Sequence, residues 1–173
     1  MAQLILAGTS IFLLSVVPFQ HLHFFISMSV NLLEREAALK RLYKDGWQLH
    51  NLTKDLRQDR ELVLTAVSKH GWALQFAPED LHADREVVLA AVRQSGRALS
   101  LAADALQSDR QIVVEAVRQD GMALEFANEQ LRADRDVVHE ALRQNGASLQ
   151  YASESLRNDR MLAIEANARQ GYA

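Results

Sequence analysis

The sequence predicts an all-α protein, an α-solenoid of stacked 25-residue repeats with two helical pieces in each. Three observations carry that expectation. Glycines recur at one interval, as Gly46, Gly71, Gly96, Gly121, Gly146 and Gly171. Asp-Arg pairs recur in the same rhythm, as Asp59-Arg60, Asp84-Arg85, Asp109-Arg110, Asp134-Arg135 and Asp159-Arg160, with Glu34-Arg35 in the same phase one unit earlier. Between pair and glycine, apolar residues fall at helical spacing. Full units therefore start at residues 34, 59, 84, 109 and 134, and a partial sixth starts at 159, with no gap or insertion.

The first element stands apart. Residues 1–33 contain no Lys, Arg, Asp or Glu. The stretch Leu4 to Val30 is long enough for a membrane helix, although Pro18, Gln20, His21 and His23 interrupt it. It carries neither the basic start nor the small-residue cleavage site of a signal peptide. Three readings stay open: an extension upstream of a natural start at Met28, a membrane or export segment, and a helix packed on the array. The domain division is accordingly residues 1–33 as leader and residues 34–173 as solenoid.

Within each unit the Asp is expected to cap a helix, because its carboxylate accepts from free first-turn N–H groups and its charge suits that end. Apolar residues follow at offsets 3, 4, 7 and 8 from the Asp, as Val87, Val88, Ala91 and Val92, which form one helical face. The recurring alanine at offset 7 (Ala66, Ala91, Ala116, Ala141, Ala166) suggests a close helix–helix approach. Glycine is expected to end the helix in the left-handed conformation. A second, short piece follows, such as "RALSLA" or "MALEFA", with 3-10 character expected from its length. A polar connector then carries a central leucine (Leu56, Leu81, Leu106, Leu131, Leu156) as a core anchor. A two-helix unit of this size cannot bury its apolar face alone, so the units must stack.

The arginine after each aspartate forms a ladder: Arg60, Arg85, Arg110, Arg135 and Arg160, with Arg35 in phase. A cation at a helix start opposes the dipole, so a local partner is expected. Connector carboxylates such as Glu79, Asp104 or Glu129 are the expected partners, in planar pairs. The competing reading is a row of guanidiniums for an acidic ligand. Recognition is expected at the positions that vary. The residue after each glycine reads Trp47, Trp72, Arg97, Met122, Ala147 and Tyr172, and the residue before it reads Asp45, His70, Ser95, Asp120, Asn145 and Gln170. Tryptophan and tyrosine are common interface anchors. The alternative is that Trp47 and Trp72 pack between turns.

The unit "DREVVLAAVRQSGRALSLAADALQS" resembles the repeat family known as domain of unknown function 4116. Asp84, Arg85, Glu86, Val87, Val88, Leu89, Ala91, Val92, Gly96, Ala98, Leu99 and Leu106 carry the likeness, and Asp109 to Leu131 matches as well. The resemblance covers Glu34 to Ala173. The first unit departs from it, with Glu34 for Asp, Ala37-Ala38 for the valine pair and Asn51 for the aromatic residue, and reads as a capping repeat. The last unit departs at Asn167 and Ala168. The resemblance implies a helical repeat array, often found as several units within larger proteins of bacteria and algae. It implies no activity, cofactor or catalytic residue.

Net charge is −3, which offers no electrostatic case for nucleic acid. There is no cysteine for a disulfide, thiolate nucleophile or cysteine-based zinc site. His50, His70, His82 and His139 sit at different phases and need not converge, and phosphate-loop, zinc-protease and serine-hydrolase motifs do not occur. No cofactor, metal or catalytic residue is expected. The leading expectation is a non-enzymatic, cytoplasmic scaffold that binds a protein or peptide through the post-glycine stripe. The alternatives are a membrane-associated or exported solenoid held by residues 4–30, and a small-ligand or enzymatic protein whose site does not show in the sequence. End-to-end self-association through the partial last unit is also open.

Overall fold

The computed structural model describes the backbone of residues 19–170 and the side chains of residues 28–169. Gly171, Tyr172 and residues 1–18 of the leader lie outside the described residues. The described residues fall into two compact units that part between Ala37 and Ala38. Helix α1 (Phe19–Lys44) runs without interruption through Glu34, so no fresh helix opens there. In the first compact unit Met28, Val30, Leu32 and Leu33 are exposed. Among the described residues no helix is long and apolar enough to cross a membrane; most of the stretch Leu4 to Val30 lies outside them.

The second compact unit is an all-helical array. Its long helices are α2 (Arg60–Lys69), α3 (Arg85–Gln94), α4 (Arg110–Gln119), α5 (Arg135–Gln144) and α6 (Arg160–Gln170). Each begins one residue after an aspartate, extended at Asp59, Asp84, Asp109 and Asp134, and these four and Asp159 each accept two backbone N–H groups of the first turn. That is N-capping, which satisfies donors the helix leaves open. The face at offsets 3, 4, 7 and 8 is fully buried in α2 through α5, from Leu62, Val63, Ala66 and Val67 to Val137, Val138, Ala141 and Leu142.

Each unit then adds two short helical pieces rather than one. A 3-10 helix spans Gly71–Phe76, Gly96–Leu101, Gly121–Phe126 and Gly146–Tyr151, with Gly46–Asn51 before them. The connector is itself a single turn, α-helical at Lys54–Arg57, Asp104–Gln107, Glu129–Arg132 and Glu154–Arg157, and 3-10 at Glu79–Ala83. Its leucines Leu81, Leu106 and Leu131 are buried.

The period glycines do not play the part expected of them. The chain turns at the preceding residue, which is extended (Ser95 has φ −146° and ψ 106°), and the glycine opens the 3-10 helix. None of Gly46, Gly71, Gly96, Gly121 and Gly146 has a left-handed φ. They are required by distance instead. A Cβ on Gly96 would lie closer than 3.0 Å to the carbonyl oxygen of Ala116 in the next unit, and the other four face Ala66, Ala91, Ala141 and Ala166 in the same way. Those alanines are the offset-7 residues, so glycine and alanine are two sides of one contact.

A side chain closes the contact. Gln94, Gln119 and Gln144 each turn back to the preceding unit and accept the N–H of Gly71, Gly96 and Gly121, the last at 2.7 Å. This N–H opens a helix and has no intrahelical partner. On the other edge the connectors are joined by backbone bonds, Ala103 N–H to His82 O (2.9 Å), Asn128 to Gln107 (3.1 Å) and Ser153 to Arg132 (2.9 Å). Pro78 holds the equivalent position in the unit starting at 59 and has no N–H to give.

The arginine ladder runs between units. Arg60, Arg85, Arg110 and Arg135 donate to the capping carboxylates Asp84, Asp109, Asp134 and Asp159, at 2.7, 3.1, 3.2 and 2.6 Å. The partner is thus the next unit's cap, not the connector carboxylate expected from the sequence. Arg60 also reaches Glu86 and Arg85 reaches Gln111, both at 2.6 Å. One carboxylate therefore caps its own helix and holds the previous unit. The Arg60 hydrogen bond keeps the Asp84 carboxyl below its ordinary range, and Arg135 does the same for Asp159. At Asp109 and Asp134 desolvation pulls upward, but backbone N–H groups and the arginine outweigh it. Single exposed pairs of this kind contribute little; this one recurs at successive interfaces.

Two predictions concern the close contact. Gly96→Ala must push two backbones apart, and we expect it to cost about 1–3 kcal/mol in urea unfolding; an unchanged midpoint would show that the contact is not tight. Gln119→Ala leaves the Gly96 N–H unpaired and should cost about 1 kcal/mol by the same measurement. The ladder predicts acid lability. Its carboxyls titrate lower in the folded chain than in the unfolded one, so its contribution is complete above the ordinary carboxyl value of about 4 and is lost as pH falls through the depressed folded values. Melting temperature should stay level from neutral pH down to about pH 5 and drop steeply below about pH 4. Asp109→Asn keeps a cap without the charge, and its acid slope should be shallower; an identical slope would place the lability elsewhere.

Candidate interaction surface

The 3-10 helices of successive units lie against one another. Their glycine N-termini are pinned by the contact just described, so the residues on either side of each glycine are brought into register. The residue after the glycine in one unit meets the residue before the glycine in the next. Arg97 pairs with Asp120 at 3.0 Å, and the Trp47 ring lies 6.0 Å from the His70 ring, tilted by 35°. Arg97, Met122 and Ala147 are half-buried, while Trp47 and Trp72 are 39% and 37% exposed. The structure thus brings Trp47, Trp72, Arg97, Met122 and Ala147 into one column; Tyr172 lies outside the described residues.

The column is richest at its N-terminal end. Trp47 meets Phe76 edge-on, with ring centroids 5.8 Å apart, and His50 lies 5.4 Å from the same ring. Asp45 accepts from the Trp47 N–H at 3.0 Å and from Gln48 at 3.2 Å, and its carboxylate stands 3.3 Å from His70 Nε2. The Gln48 side chain first, and then the Trp47 N–H, hold the Asp45 carboxyl below its ordinary range. An acid, two imidazoles and two aromatic rings are therefore gathered where the unit starting at 84 carries Ser95, Ser100 and Leu101.

The tryptophans are neither fully packed between turns nor free. Each keeps more than a third of its surface open, which suits a side chain that anchors a partner while resting on its own scaffold.

The other expected candidates separate from this column. The guanidiniums of Arg60, Arg85, Arg110 and Arg135 are occupied by the capping carboxylates, so they form no open row for an acidic ligand. Arg160 opens α6 and is exposed. His139 lies 3.3 Å from Glu165 on the long-helix side of the array. A second set of pairs runs there, Arg93 to Glu115 at 3.2 Å and Arg118 to Glu140 at 2.9 Å. Among the described residues no group of three or more His, Asp or Glu side chains is placed to hold a metal. The glutamine clamps were not singled out by sequence, although Gln94, Gln119 and Gln144 recur two residues before Gly96, Gly121 and Gly146.

A family model described as a domain of unknown function (DUF4116) matches residues 35–82, 84–132 and 134–173, nearly the whole of the repeat array. Each match covers a pair of neighbouring 25-residue units or the greater part of one. No curated protein and no solved structure matches the chain. The period, the capping aspartates and the glycine–alanine contacts all fall inside the matched residues, and the chain belongs to the DUF4116 repeat family.

Proposed function

We propose that the array binds an extended segment of another protein along the post-glycine column, as a scaffold without catalytic chemistry. The observation that carries this reading is the pair of tryptophans, Trp47 and Trp72, more than a third exposed at the same phase of adjoining units. The residues that hold the stack recur from unit to unit: the aspartate, its arginine, the glycine and the alanine. The column does not, reading Trp47, Trp72, Arg97, Met122 and Ala147. A surface that varies on an unvarying frame suits recognition of a partner whose side chains differ along its length.

Capture from a lysate of the source tests the reading, using the full chain beside a Trp47→Ala, Trp72→Ala variant shown by circular dichroism to melt like the parent. We expect a partner retained by the parent and lost by the variant. The same two residues are the only tryptophans in the chain, so titrating the captured partner should shift the intrinsic emission. Equal capture by both proteins, or unchanged emission on binding, would move the partner off the column.

A further inference from the structure

The interface between the units starting at 34 and 59 departs from the repeat in two ways at its connectors. The first residue of the connector turn reads Lys54, Glu79, Asp104, Glu129 and Glu154, so a lysine replaces the carboxylate of every later unit. Opposite it, Pro78 stands where Ala103, Asn128 and Ser153 donate the backbone bond that straps one connector to the next. The connector of Lys54–Arg57 therefore faces a neighbour that gives no N–H. Between them lies a cavity of about 190 Å³ lined by Lys54, Arg57, Gln58, Phe76, Ala77 and Pro78. Its lining holds two cations and no carboxylate; Asp55, Glu79 and Asp80 are exposed nearby but do not line it. Arg57 Nε is buried and has no hydrogen-bond partner, and the same holds for Arg132 Nε at the same phase of a later unit; there Glu129 stands in the place of Lys54 and the strap is formed. Among the described residues neither Lys54 nor Arg57 is in an ion pair.

We infer that this cavity takes a carboxylate side chain of the bound segment. A buried guanidinium donor without an acceptor is costly, and a carboxylate is the planar acceptor that suits it. Lys54 supplies a second positive charge at the rim. Phe76 and Pro78 form an apolar wall for the methylene groups of the same residue. Phe76 also joins the cavity to the column, because its ring touches Trp47 and His50. The inference rests on the column reading and adds the partner's chemistry: an aromatic or aliphatic residue over Trp47, beside a glutamate or aspartate that enters between Lys54 and Arg57.

The test is an amide NMR titration of the full chain. The probe is acetyl-Glu-Phe-Glu-amide, the uncharged control is acetyl-Gln-Phe-Gln-amide, and a third arm uses inorganic phosphate. We expect saturable shifts at residues 53–58 and 76–79 with the glutamate probe, and at least tenfold weaker binding of the glutamine control. Lys54→Glu restores the charge that the other units carry, so it should fold as the parent does and lose the probe. Pro78→Ala, which copies the unit starting at 84, should weaken the probe and give residue 78 an amide protected from exchange. Equal affinity for the two peptides, shifts spread over several interfaces, or unaltered binding by Lys54→Glu would overturn the inference. So would displacement of the peptide by phosphate at equal concentration, which would mark a bare anion hole. The two readings fail separately. Loss of the glutamate preference with retained dependence on Trp47 and Trp72 sinks the cavity alone, and the reverse pattern sinks the column alone.

Discussion

The array depends on how near the backbone of one unit can come to the backbone of the next. The glycine that opens each 3-10 helix lies over an alanine carbonyl in the following long helix, at a separation that leaves no room for a Cβ. That approach sets the spacing of the stack. It lets the long helices bury a continuous apolar face, from Leu62 in α2 to Leu142 in α5. It also places the glutamine two residues before the next glycine within reach of the free glycine N–H. Had the glycine carried a methyl group, the glutamine bond, the cap-to-arginine pair and the connector strap would all be stretched together, because each spans the same interface.

The periodic frame could be read from the chain, but the reasons for its parts could not all be read. Capping by Asp59, Asp84, Asp109, Asp134 and Asp159 is a local matter within three residues, and it follows from the sequence directly. The glycines were expected to supply a left-handed turn. A turn and a close approach both demand a missing Cβ, and only the second involves an atom some 20 residues away. The arginine partners were misplaced for the same kind of reason. Carboxylates at Glu79 and at Asp84 are both near in sequence to the correct distance, and the choice between them is made by how the next unit sits on its neighbour. The 3-10 character followed from six-residue length, whereas the helical turn in the connector did not show, since four residues carry too little pattern.

The candidate site divides along the same line. The column after the glycines was legible as a phase, because stacking an exact repeat must align equivalent positions. The exposure of Trp47 and Trp72 was not, since it depends on what the next unit offers as cover: His70 and Phe76 for the first, smaller side chains beyond. The cavity at Lys54 and Pro78 lay in plain view as a departure from period, with one lysine in a run of carboxylates and one proline in a run of donors. Its meaning needed the strap between connectors, which joins residues that share no pattern of their own.

The bonds between units have a direction. Each arginine reaches forward to the next cap, and each glutamine reaches back to the preceding glycine. Every such bond joins residues a set number of positions apart, with no unit-specific partner. Removing or duplicating any 25-residue window, wherever its ends fall, leaves each remaining arginine facing an aspartate and each remaining glycine facing an alanine. A gene of this kind can change length by unequal crossing-over at any phase without disturbing its frame. The interface of Lys54 and Pro78 is an exception, since a copy placed elsewhere would carry its irregular contacts with it, and it gives the array a landmark along its length.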